Sequence, residues 1–157
     1  MMSSQSLLRH WAVSTEDVNS EAPRIVFTLI GSAASKKLPI LILSYRSESW
    51  NALLTCGEKL EGHSARLLMS WDGHNETVSW NMTPDHGATF TTHPEPFIVR
   101  LLSCHTLAVQ FPLHGEVRRV VFDLTGLEKE IDNFPQAKRA LAPKRRKLGH
   151  DAPAPQA

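Results

Sequence analysis

The sequence predicts a mainly β protein, either an antiparallel β-sandwich or an open barrel with two short helices and a disordered basic C-terminal tail. Three observations carry this expectation. Runs of β-branched and aromatic residues follow one another, each bounded by Gly, Pro, Asn, Asp or Ser. Leu67 to Trp71 and Thr77 to Trp80 flank Asp72-Gly73, a strong short-range hairpin signal. Residues 38–45, LPILILSY, are apolar on both faces, as a central or sandwiched strand would be.

Taken in order, Trp11-Ala12-Val13 is a short first strand, and a polar loop runs from Ser14 to Pro23. Arg24 to Ile30 is a strand ended by Gly31-Ser32, and Ser32 to Lys37 is a loop. Pro39 is tolerated in the next strand because it sits near the start, where no ladder bond is lost. Trp50 to Cys56 is a third strand, closed by Gly57. Trp71 and Trp80 lie near opposite ends of the hairpin that follows, placed for packing across strands. Residues 83–87, TPDHG, read as a turn in which proline presets φ and Gly87 takes the left-handed position. Ala88 to Thr91 is a short strand. Pro94-Glu95-Pro96 opens a helix whose apolar face is Phe97, Ile98, Leu101 and Leu102. Thr106 to Phe111 and Glu116 to Phe122 form a closing antiparallel pair. Thr125 and Glu128 make a capping box for a helix over 126–133, which Pro135 stops.

This places one β-rich domain at 1–135 and a proline-, alanine- and lysine/arginine-rich tail at 136–157, expected to be disordered. The formal net charge of +1 conceals an asymmetry: the tail holds six Lys/Arg against Asp151 alone, and the body holds fewer cations than carboxylates. At 157 residues with 41% hydrophobic content, the chain is long enough to bury a core without staples. Two cysteines, Cys56 and Cys104, are too few for a disulfide scaffold or a zinc site of usual spacing. Whether they pair is open in sequence, and buried free thiols are the favoured state. The N-terminus shows no secretory signal, and no apolar run reaches the length of a membrane span, so a cytoplasmic location is expected.

The eight histidines suggest metal or acid–base chemistry, but none has a second histidine at helical spacing, and most sit beside Gly, Pro or Asp in loops. His74, His86 and His93 would form a site only if their loops gathered at one end of the sheet. No nucleophile elbow, phosphate-binding glycine loop or cysteine signature is present. No catalytic, cofactor or metal residues are therefore assigned. The triplets at Asn75 and Asn81 that fit the glycosylation pattern are read as chance matches.

The ILILSYRSES strand after Pro39, residues 65–90, the segment PEPFIVRLLSCHTLAVQFP and the phrase FDLTGL at 122–127 resemble, in that order, the type VI secretion-associated TagO/VasI family of small bacterial envelope accessory proteins. The likeness spans residues 23–131. Members usually carry an export signal and place cysteines at the end of the second strand and after the last helix. Here those places hold Ser44-Tyr45 and Phe134-Pro135. Loss of the signal and of the disulfide together is coherent, because disulfides do not persist in a reducing cytosol. The resemblance implies a non-enzymatic accessory role, in a cytoplasmic relative of phage or mobile-element origin, and no catalytic residues.

A binding module acting by protein–protein contact is thus expected, with a second copy of the chain among its partners. Trp50, Arg66, Trp71, Trp80 and Arg100 are the candidate interface residues, because Trp and Arg dominate hot spots. Core packing of the tryptophans is the competing reading. The alternative function is nucleic-acid binding through Lys144, Arg145, Arg146 and Lys147, a cluster without interleaved aromatics to stack on bases.

Overall fold

A computed structural model of the chain describes residues 11–34, 37–113 and 115–141. Ten strands are defined among them: β1 (Ala12–Glu16), β2 (Arg24–Ile30), β3 (Ser32–Ala33), β4 (Ile40–Arg46), β5 (Ser49–Thr55), β6 (Ser64–Trp71), β7 (His74–Met82), β8 (Thr89–Phe90), β9 (Thr106–Leu113) and β10 (Glu116–Asp123). Helix α1 is Pro94–Ser103, α2 is Leu127–Asp132, and residues 135–141 form a third helix, α3.

All ten strands belong to one antiparallel sheet in the order β1-β2-β4-β5-β8-β7-β6-β9-β10-β3. β2 and β3 stand at or next to opposite ends of that order, yet only Gly31 separates them in the chain. The sheet must therefore curl until its two ends meet, giving an open barrel rather than a sandwich, with its seam at Gly31. The approach there is too close for any side chain. A Cβ on residue 31 would lie 2.6 Å from the Val121 carbonyl oxygen and 2.8 Å from the Phe122 ring.

Alternation puts every second side chain of β2 and β6 inside. In β2 it buries Ile25, Phe27 and Leu29, and in β6 it buries Ala65, Leu67, Met69 and Trp71. Phe27, Phe111 and Phe122 are fully buried and fill the interior with the leucines between them. Each such side chain contributes about 1.5–3 kcal/mol through burial. The interior of the barrel is a packed hydrophobic core.

The Asp72-Gly73 hairpin forms as expected. Trp71 faces His74, and both turn residues have positive φ, 48° and 95°, which matches the right-handed twist of the strands. A second hairpin of the same kind joins β4 to β5 through Ser47-Glu48, at φ 51° and 64°, without a glycine. Trp71 and Trp80 do not meet across the strands. Phe97 of α1 stands edge-on to both, at 5.5 and 4.9 Å between ring centroids.

Five expectations need correction. Ser14 to Glu16 continue β1, paired with Arg24 to Val26, where a polar loop was expected. Ser32 and Ala33 form a strand where a loop was expected. In the 83–87 turn, His86, not Gly87, takes the left-handed position (φ 61°). The capping box is not made: Gly126 enters α2 in a left-handed conformation with no side-chain cap, and the Thr125 N–H donates instead to Asp123 Oδ1 at 3.1 Å. Pro135 does not end the ordered chain but stands in the first turn of α3, where its missing N–H costs nothing. Ala137 and Leu141 are buried, and the Trp50 indole N–H donates to the Ala137 carbonyl at 3.1 Å. The body therefore extends to at least residue 141, past the boundary drawn at 135. Residues 142–157 lie outside the described residues.

Candidate functional site

A cleft opens at the seam. It has a volume of about 640 Å³ and lies between the β2–β3 crossing and the ends of β9 and β10. Its floor is apolar, from Ile30, Ala33, Leu38 and Val121, and its rim is polar, from His105, Thr106, Asp123 and Thr125. The volume falls within the range of small-molecule sites. Asp123 Oδ1 accepts the Thr125 N–H, while its second oxygen takes no hydrogen bond from another described residue. The same holds for the His105 ring and the Thr106 hydroxyl.

Asp72, at the hairpin tip, positions two members of that rim. Its carboxylate accepts the backbone N–H groups of His105 (3.0 Å) and Thr106 (2.8 Å), where the chain leaves α1 and enters β9. Those two N–H groups hold the Asp72 carboxyl below the usual aspartate range. A folded-state pKa depressed in this way stabilises the fold above the ordinary value, and the contribution is lost as pH falls through the depressed one. An acid titration followed by NMR should show the His105 and Thr106 amides moving together, at a pH below that of free aspartate. Movement at the ordinary aspartate value would show that the clamp does not form.

A second feature lies on the outside of the barrel. Thr28, Ile42, Leu53 and Phe90 are consecutive partners across β2, β4, β5 and β8, and Ile30 faces Ile40 beside them. Their side chains point away from the core and are half-buried, and that of Ile30 also lines the cleft. This part of the face carries no charged side chain. The run LPILILSY reads as a strand covered on both sides, and its outer side is covered by no second layer among the described residues.

The expected interface residues are placed otherwise. Trp50, Trp71 and Trp80 are core residues, 2%, 2% and 5% exposed, so in the folded chain they offer no contact surface. Their large apolar area is worth more inside the barrel than at its rim. Arg100 is held by its own chain: it lies 4.7 Å over the Trp71 ring and pairs with Glu76 at 2.8 Å, and the same carboxylate oxygen accepts the Trp71 indole N–H at 3.1 Å. Arg66 is exposed, on the outer side of β6. Lys144, Arg145, Arg146 and Lys147 lie outside the described residues.

His74 begins β7 and His86 follows its other end, so a nine-residue strand, roughly 30 Å long, keeps them apart. His86 Nδ1 is 3.1 Å from the Leu60 carbonyl oxygen, and His93 Nδ1 is 3.1 Å from the Thr92 hydroxyl. No group of three His, Cys, Asp or Glu side chains among the described residues could hold a metal ion. Cys56 and Cys104 are both free thiols. Burial pushes the Cys56 thiol up, away from its reactive form. No described helix is long and apolar enough to cross a membrane.

The sequence reading missed the cleft because its walls come from three segments far apart in the chain. The available signal was the phrase FDLTGL, which contains Asp123 and Thr125 but reads as an ordinary strand end. No family model matches the chain, and neither does any curated protein or solved structure.

Proposed function

We propose that this protein is a non-enzymatic binding module that acts by protein–protein contact, and that its outer β2–β4–β5 face docks on the same face of a second copy. The uncovered apolar run of β4 carries this reading. Charged residues are depleted at the centres of interfaces because an unpaired buried charge costs several kcal/mol. The patch of Thr28, Ile40, Ile42, Leu53 and Phe90 carries no charge, with Arg24 and Arg46 only at the far end of the same side. It can therefore meet its own copy across a twofold axis without that cost. The resemblance to the TagO/VasI accessory proteins supports the same kind of role. Leaving out the ends that hold Arg24 and Arg46, five residues by three strands make a plate roughly 17 Å by 14 Å, on the order of 240 Å². That is under half of the ~800 Å² per partner of a standard interface, so the expected contact is a weak and reversible one.

Light scattering across a wide concentration range should show the mass rising from monomer toward dimer. Ile42→Lys places an ammonium in the middle of the face. It should weaken self-association about a hundredfold while changing stability by no more than about 1 kcal/mol. A mass that stays monomeric at every concentration, or a dimer unaffected by Ile42→Lys, would sink the proposal.

A further inference from the structure

The cleft at the seam has a chemistry that the docking face does not use. Its floor offers Ile30, Leu38 and Val121 to a hydrocarbon, and Leu38 is half-exposed, at 49%, beside the opening. Its rim offers acceptors. Among the described lining residues Asp123 is the one carboxylate, and none is a lysine or arginine. The carboxylate is fixed rather than loose, because Oδ1 accepts the Thr125 N–H and leaves Oδ2 open. Ser32, Ala33, Thr106, Val121 and Asp123 of the lining sit on strands whose register is set by the β10–β3 and β10–β9 ladders, so Asp123 and Val121 keep a constant separation. A metal ion is a poor match, since among the described lining residues only Asp123 and His105 are of the types that commonly ligate one.

We propose that this cleft binds a small aliphatic amine. The hydrocarbon stem lies along Ile30, Leu38 and Val121, and the ammonium group donates to Asp123 and the neighbouring threonine hydroxyls. An apolar floor with one acid at its rim selects a cation with an apolar tail over an anion of the same shape. The cleft shares Ile30 with the edge of the docking face, but the inference does not rest on self-association, and either can fail without the other.

The test uses the full chain and n-hexylamine, with n-hexanol and hexanoate as neutral and anionic counterparts, followed by amide chemical shifts. Saturable shifts are expected for n-hexylamine at Ser32, Thr106, Val121 and Asp123, with hexanoate weaker. Asp123→Asn keeps an acceptor for the Thr125 N–H and so preserves the turn. It should weaken n-hexylamine roughly fivefold, less than a buried charge would give because the carboxylate is exposed, and leave n-hexanol unchanged. Leu38→Ser, at an exposed position, should weaken amine and alcohol alike. Shifts that do not saturate, shifts scattered over the whole surface, hexanoate binding as tight as the amine, or an Asp123→Asn variant that binds the amine as before would each overturn the assignment.

Discussion

Replacing Trp50 with alanine should lower the unfolding free energy by about 3–5 kcal/mol, the range for truncating a large buried aromatic. The indole packs on Phe27 and Tyr45, with ring centroids 5.7 and 5.4 Å away, and Phe27 in turn meets Phe134 edge-on at 5.7 Å. Its N–H is also the polar tie to α3 through the Ala137 carbonyl. Trp50→Phe separates the two roles. It keeps most of the apolar volume but leaves that buried carbonyl without its donor, at a cost of about 1–3 kcal/mol. A pair of truncations isolates the helix itself. A chain ending at Phe134 loses the buried Ala137 and Leu141, whereas one ending at Leu141 keeps them. The shorter chain should be less stable by about 3 kcal/mol, from one buried leucine and one hydrogen bond. Equal denaturation midpoints for the two truncations would show that α3 contributes nothing to the body.

That helix marks where local pattern stopped informing. Arg24–Ile30 was legible as a strand with its observed bounds, because β-branched alternation between Pro23 and Gly31 admits little else. The Asp72-Gly73 turn was legible because few dipeptides accept two positive φ angles. Ser47-Glu48 adopts the same turn without such residues, and there the pairing of β4 with β5 overrides the local preference. The segment 135–141 was hidden by the basic, proline-rich composition that follows it. Its signal was the 3–4 spacing of Phe134, Ala137 and Leu141, an apolar stripe too short to outweigh the charges around it. The tryptophans were legible as large apolar groups but not as inside or outside, since that depends on which face of each strand the barrel encloses. The cleft was illegible for a topological reason. It exists only because β3 pairs with β10 across almost ninety residues of chain, and no local pattern specifies that partner.

Phe97→Ala should produce the other large loss, about 3–4 kcal/mol, or roughly 10 °C in the midpoint of thermal unfolding. Phe97 is the knob by which α1 grips the sheet. Trp71 and Trp80 come from opposite ends of the β6–β7 hairpin, and its ring stands edge-on to both, so one truncation removes two aromatic contacts. Each pair adds about 0.5–1.5 kcal/mol beyond area burial. The hairpin holds its register through eight paired positions and has no need of the helix for that. The expected damage is therefore local. Trp71 and Trp80 become hydrated, their fluorescence shifts to the red, and α1 exchanges its amide protons faster, while amides at the β2–β4 pairing keep their protection. Phe97→Leu, which refills part of the volume, should recover more than half of the loss. A Phe97→Ala protein within 1 kcal/mol of the parent, with unshifted tryptophan emission, would mean that Arg100 over Trp71 and its pair with Glu76 suffice to dock the helix. The aromatic cluster would then be packing without consequence.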